Sequence, residues 1–316
     1  MLEVEHLTRR YGPVTAVDDI SFQTRSGEVL GFLGLNGAGK TTTMRMITGY
    51  LPPTAGEVRI EGVGLRRDPL AAKRKIGYLP ELPPLYPELT VRDYLGFVAR
   101  LRQVPARERN NAVERAMERC ALSDVAERVI GRLSKGYRQR VGIAQAILHN
   151  PRLLIFDEPT AGLDPRQILE TRELIRSLAG DHTVILSTHI LSEASTTCQR
   201  VIIINRGKLV AVDSPENLTR RVKQSDTLLI ELRGAGTAAQ ALIAQLSGVS
   251  KAELLGEQDG TAKLRVESKD LATREAIARV LIEGGYGLLE LKQVELTLEE
   301  IFLSLTGSSL PAAASA

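Results

Sequence analysis

The chain has 316 residues, enough for one large and one small domain with separate cores. Its 41 basic residues nearly balance 38 acidic ones, and a net charge of +3 without any Lys/Arg block gives no electrostatic footprint for nucleic acid, so no nucleic-acid partner is expected. The longest strongly apolar stretches, 153–156 and 201–204, are strand-length and cannot span a bilayer, so membrane work would need a partner.

The start, Met1-Leu2-Glu3-Val4-Glu5, lacks the cationic and apolar runs of a signal peptide. Residues 2–8 and 20–24 read as half-buried strands and 29–33 as a fully buried one. The last leads into Gly34-Leu35-Asn36-Gly37-Ala38-Gly39-Lys40-Thr41, which matches the phosphate-cradling loop G-x-x-x-x-G-K-[ST] at every fixed position. Residues 42–48, from Thr42 up to a closing Gly49, read as the following helix. Strand, glycine loop and helix together aim backbone N–H groups and a helix N-terminus at one spot, where polyphosphate is held. In this arrangement Lys40 reaches the β- and γ-phosphates and the Thr41 hydroxyl ligates Mg²⁺. A nucleoside triphosphate with Mg²⁺ is the expected ligand.

Residues 57–61 are a further half-buried strand, and the proline-rich stretch 77–87 is expected to be a flexible entry to a helical region. From 90 to 133 strand signals vanish. Thr90-Val91-Arg92-Asp93 and Ser123-Asp124 read as helix starts, which predicts a helical subdomain over about 88–148. Residues 153–156 form an apolar strand ending in Asp157-Glu158. Side chains diverge at a strand end, so Asp157 can hold Mg²⁺ while Glu158 polarises the attacking water. Runs at 183–187 and 201–205 complete the alternation of strand and helix expected of an α/β domain over 1–215. Cys120 and Cys198 lack metal or redox spacing and read as reduced, buried thiols of a cytosolic protein. Beyond Pro215 the order strand 227–232, helix 238–246, strands 249–254 and 261–266, helix 271–283 and strand 288–291 predicts a small ferredoxin-like α+β module within 225–305. An amphipathic helix at 298–305 and a frayed, flexible tail at 306–316 end the chain.

Leu133-Ser134-Lys135-Gly136-Tyr137-Arg138-Gln139-Arg140 lies upstream of the acidic strand and resembles the signature LSGGQxQR of the ATPase subunits of ABC transporters. With the phosphate loop and Asp157-Glu158, the resemblance covers about residues 1–215. It implies a P-loop NTPase core with an antiparallel β subdomain and an inserted helical subdomain. Tyr11 resembles the aromatic that stacks on adenine, with Val17 packing nearby. Ala161-Gly162-Leu163-Asp164 resembles the D-loop that crosses the dimer interface. His189, after Ser187-Thr188, resembles the switch histidine that contacts the γ-phosphate. Ser134 would N-cap a helix whose positive end, with Lys135 and Gly136, faces the γ-phosphate bound by the opposite subunit.

Three positions depart from the family pattern. Glu81 stands where the family has Gln; a carboxylate can still ligate Mg²⁺ but donates no hydrogen bond at neutral pH. Lys135 and Tyr137 replace a Gly and the Gln of the signature. These changes and the C-terminal module resemble a bacterial exporter branch that includes gliding-motility and multidrug ATPases. The expected function is an ATPase subunit working as a homodimer, or a heterodimer with a related ATPase. It would be peripheral on the cytoplasmic face of the cell membrane and drive export through a separate permease. Ribosome-acting relatives have two such domains in tandem and the DNA-repair type carries coiled-coil insertions; this sequence has one domain and no sustained heptads.

Overall fold

Alternation places Leu2 and Val4 on the buried face of β1 (Leu2–Tyr11), and a register shift near His6, whose φ is 50°, brings Leu7 back to that face. In a computed structural model that describes residues 1–222, 226–268, 271–294 and 302, the chain divides at Pro215 into two units. In the first, β1 is followed by β2 (Val14–Gln23), β3 (Val29–Leu33), α1 (Lys40–Ile47), β4 (Ala55–Ile60) and β5 (Val63–Gly64). Next come α2 (Pro69–Arg74), β6 (Ile76–Leu79), α3 (Val91–Leu101), α4 (Arg109–Arg119) and α5 (Lys135–Ile147). The remainder is β7 (Leu153–Asp157), α6 (Pro165–Leu178), β8 (Thr183–Thr188), α7 (Leu191–Thr197), β9 (Arg200–Asn205) and β10 (Lys208–Asp213). α8 (Pro215–Val222) runs from the boundary.

Strands β2-β1-β4-β5 form an antiparallel sheet. A six-stranded sheet has the order β10-β9-β3-β8-β7-β6 and is parallel except at β10. β3, β7 and β8 are buried at every residue, which is why they read as continuous apolar runs. One core runs between the two sheets, from Leu2, Val4 and Ile60 to Phe32, Ile155 and Ile202.

Several boundaries differ from expectation. β2 starts at Val14 rather than at residue 20; its first two residues are exposed, and of its first five only Val17 is buried, so no buried alternation marks that end. α1 begins at Lys40, inside the phosphate loop. The supposed flexible entry at 77–87 opens instead with the edge strand β6. Ser123-Asp124 starts only a 3₁₀ turn, Ser123–Val125. At Thr90 the helix start holds: its Oγ1 accepts from Asp93 N–H at 3.1 Å and donates to Asp93 Oδ2 at 2.8 Å.

α5 lies close on β6. A Cβ at Gly77 would stand 2.1 Å from the Ala146 carbonyl oxygen, so only glycine fits there. One turn away, His149 Nε2 donates to Ile76 O at 3.1 Å, while its Nδ1 is buried without a partner. Burial first, then the nearby Arg102 charge, pushes the His149 imidazole down to about 4 from 6.5. The unfolded chain therefore takes up this proton first, and the protein loses stability as pH falls from about 6.5 toward about 4. Urea unfolding across that window should show a steeper loss for the parent than for His149→Gln; parallel curves would refute the assignment.

The second unit contains β11 (Asp226–Arg233), α9 (Gly236–Ala244), β12 (Val249–Gln258), β13 (Thr261–Ser268), α10 (Leu271–Glu283) and β14 (Gly287–Val294). Its antiparallel sheet has the order β12-β13-β11-β14, the ferredoxin-like arrangement of a β-α-β-β-α-β unit. Leu228, Ile230 and Leu232 of β11 meet Ala239, Ile243, Ile277 and Leu281 of the two helices in a core of their own. The expected helix at 298–305 and tail at 306–316 lie outside the described residues, Phe302 excepted. Cys120 and Cys198 are both free and buried, and burial pushes each thiol up to about 12.

Candidate active site

Parallel strands bring their carboxyl ends to one edge, where open α/β sheets place their ligands. The sheet order β3-β8-β7-β6 sets four segments side by side there: the phosphate loop, His189, Asp157-Glu158 and Glu81. Asn36, Gly37, Gly39, Lys40, Thr41 and Thr42 line a cavity of about 230 Å³ together with Glu81, Glu158 and His189. This is less than the ~300–1,000 Å³ of pockets that enclose drug-sized ligands, and suits the phosphate end of a nucleotide.

Gly39 has φ 111°, and a Cβ there would stand 2.7 Å from the Ala16 carbonyl oxygen. The loop can therefore pass close to the antiparallel sheet and still aim its N–H groups inward. Lys40, 6 % exposed, donates through Nζ to Gly34 O at 2.8 Å and to Leu35 O at 3.3 Å. The same amine stands 3.3 Å from Glu158 Oε1. Glu158 Oε2 accepts from His189 Nδ1 at 2.8 Å, so one buried carboxylate is held between a lysine and a histidine. Glu158 itself has φ 50°, and its N–H donates to Ser187 O at 3.0 Å.

Asp157 is buried, and neither carboxylate oxygen has a hydrogen-bond partner. Desolvation raises its carboxyl above the usual range and the Glu158 and Glu81 charges add to this. The nearby Ser187 and Thr41 hydroxyls offset part of the rise without meeting hydrogen-bond geometry. A buried oxygen pair facing other carboxylates is suited to a cation.

The family described as ABC transporter matches residues 17–161. The bacitracin transport ATP-binding protein BcrA of Bacillus licheniformis is 36% identical over 309 residues, covering 97% of this chain and 97% of that protein. The chain belongs to the ATP-binding proteins of ABC transporters. The linearmycin resistance ATP-binding protein LnrL of Bacillus subtilis is 32% identical across 98% of this ABC ATPase and 99% of its own length. An ATP-binding cassette solved as a dimer in a post-hydrolysis state, bound to ADP and Pi, superposes with a TM-score of 0.62 at 25% identity. That match covers 68% of this chain and 98% of the solved one. The protein is thus an ABC-type ATPase that binds and hydrolyses ATP.

Other residues singled out in the sequence lie apart from the phosphate cavity. Leu35 is exposed and Ala38 buried within the loop. Tyr11 is 45 % exposed at the end of β1, with the Arg9 guanidinium 4.7 Å from its ring centroid. Val17 has no exposed surface; it sits in the core behind Gly39 and supports the loop. Ser134 caps α5 by accepting from Tyr137 N–H at 3.4 Å, and Asp164 caps α6 by accepting from Gln167 N–H at 2.9 Å. Lys135 and Gly136 pack against Gly162 and Gln167, so the signature helix and the D-loop form one surface in the ABC ATPase.

Beside the phosphate cavity, a groove of about 610 Å³ collects Tyr50, Tyr78, Leu82, Tyr86, Phe97 and Leu101 around Glu81. Tyr50 is 77 % and Leu82 82 % exposed. These positions are scattered along the sequence, and only the meeting of β6, α3 and the end of α1 brings them together. No motif could have found them.

Proposed function

We propose that this ATPase works as a dimer on the cytoplasmic face of the membrane and powers export through a separate permease. The observation that carries the reading is a half-site. The 230 Å³ cavity gathers the phosphate loop, Glu81, Glu158 and His189, while Ser134 and the N-terminus of α5 do not line it. A second copy, or a related ATPase, supplies that face: the Ser134 hydroxyl and the N–H groups of its α5 meet the γ-phosphate across the interface.

Within each half, backbone N–H groups from Gly34 to Thr42 cradle the phosphates, and Lys40 donates to the β- and γ-oxygens. Tyr11 stacks on the adenine. Glu158 takes the proton of the attacking water. Because Nδ1–H of His189 already donates to Glu158, a neutral ring presents an Nε2 lone pair, and donation to the γ-phosphate through Nε2 requires the imidazolium. The unpartnered oxygens of Asp157, with Thr41 and Glu81, fit Mg²⁺, which supplies charge neutralisation at the phosphates when bound.

The exposed aromatic groove supports a partner surface beside the site, since large exposed apolar side chains are rarely left clustered in solvent. No helix among the described residues is long and apolar enough to cross a membrane, which is consistent with a separate permease. Relatives named for bacitracin transport and linearmycin resistance support export as the direction. No motif of the ATP site falls within the sequence of the second unit, and we assign it an accessory role in regulation or dimer stability.

Light scattering on Glu158→Gln tests the dimer. Adding ATP should double the particle mass, and Ser134→Arg in the same background should prevent the doubling while ATP still binds. A doubled mass in the Ser134→Arg chain would remove this helix from the interface.

A further inference from the structure

Behind the phosphate cavity lies a carboxylate that belongs to none of the motifs. Glu193 of α7 is 1 % exposed. Its Oε2 accepts from Thr160 Oγ1 at 2.8 Å and from Thr188 Oγ1 at 3.2 Å, so one oxygen joins two chain segments. Thr160 follows Glu158 by one intervening proline, and Thr188 immediately precedes His189. Both threonines are buried. The segments joined at Glu193 are therefore the two whose side chains meet in the Glu158–His189 contact of 2.8 Å.

The other oxygen, Oε1, stands 3.3 Å from Arg172 Nη2 of α6 as an ion pair without hydrogen-bond geometry. The Thr188 hydroxyl also accepts from Ile190 N–H at 3.0 Å, which fixes the chain just past His189. On the acidic side, Glu158 holds a left-handed backbone, a conformation that persists only where its surroundings enforce it. Two anchors bracket that residue: the Ser187 carbonyl on its own N–H, and Glu193 through Thr160. A buried carboxylate is a poor choice for stability alone, since apolar replacements of similar volume are often neutral or better.

We propose that Glu193 is a positioning residue for ATP hydrolysis: through Thr160 and Thr188 it fixes the turn after Glu158 against the end of β8 and so sets the geometry of Glu158 and His189. The inference rests on the roles proposed for Glu158 and His189. It needs no contact between Glu193 and nucleotide, so its signature is a loss in the chemical step with ATP affinity retained.

The test uses the full-length chain, measuring hydrolysis per bound ATP, ATP affinity and binding stoichiometry, and melting temperature. Glu193→Ala should lower kcat about 10- to 100-fold, the scale of a small misplacement in a reacting site, with ATP affinity within about twofold. Glu193→Gln keeps an oxygen that accepts both hydroxyls and should retain kcat within about threefold. Thr188→Val should lower kcat alone yet add nothing once Glu193 is Ala, because both remove one linkage. A purely structural role would shift melting temperature and binding stoichiometry instead, with unchanged kcat per bound ATP and independent effects. Unchanged kcat per site in Glu193→Ala, or fully additive losses with Thr188→Val, would overturn the proposal. Should Glu193→Ala not fold, Thr160→Val and Thr188→Val decide, and full kcat in both overturns it as well. Glu158→Gln separates the two readings. If it hydrolyses ATP normally, the role of Glu158 is wrong; if it is inactive while Glu193→Ala is fully active, only the clamp is wrong.

Discussion

Replacing Glu158 with Gln is expected to leave ATP bound and to cut its hydrolysis by ~10²-fold or more. The amide keeps the shape of the side chain, so the 2.8 Å neighbour His189 and the 3.3 Å neighbour Lys40 can stay in place. It cannot accept the proton that the attacking water must lose. It also removes a buried negative charge from beside Asp157, whose own carboxyl is raised in part by that charge. Cation affinity at Asp157 need not suffer, and bound nucleotide should accumulate. Single-turnover hydrolysis beside an ATP titration checks both halves of the statement. Near-normal turnover would mean that the water is activated elsewhere.

Lys40→Ala should have the opposite balance, with binding lost first. A charge-assisted hydrogen bond contributes roughly 1.5–3 kcal/mol, so affinity for ATP should fall about 10- to 100-fold. Turnover should fall too, because the buried Glu158 then lacks the cation 3.3 Å away. Lys40→Met fills much of the lost volume without charge. An equal defect in the two variants identifies charge rather than packing as the cause, while an unchanged affinity in either would argue against the phosphate-loop assignment.

The parallel core was legible because β3, β7 and β8 are buried on both faces and carry no polar interruption before their ends. The phosphate loop was legible because its chemistry fixes residue types at fixed spacing. β10 was not: it alternates exposed and half-buried residues at the sheet edge, a pattern that also suits a loop. His189 and Glu81 carry no local signal of their own and were reached only through family resemblance; sheet order then sets them beside Glu158. Val17 was expected near adenine, but its side chain has no exposed surface, since a strand's inward face is decided by register that a single residue cannot reveal. Glu193 was invisible for a different reason. A lone Glu in the first turn of a short helix reads as solvated charge, and only tertiary packing buries it against Thr160 and Thr188.

The seam between α5 and β6 has a mechanical consequence. Ala146 presses on Gly77 where no side chain could intervene, and His149 grips Ile76 at the next turn. The helix itself and the turn that follows it are thus each seated on β6. Ser134 stands at the far end of that helix, and Glu81 follows just past the free end of that strand. One close-packed seam thus joins the helix that starts at Ser134 to the strand that leads to Glu81, and it closes only because residue 77 is a glycine. Widening Gly77, even to alanine, would force strand and helix apart at that carbonyl without touching any group that meets ATP.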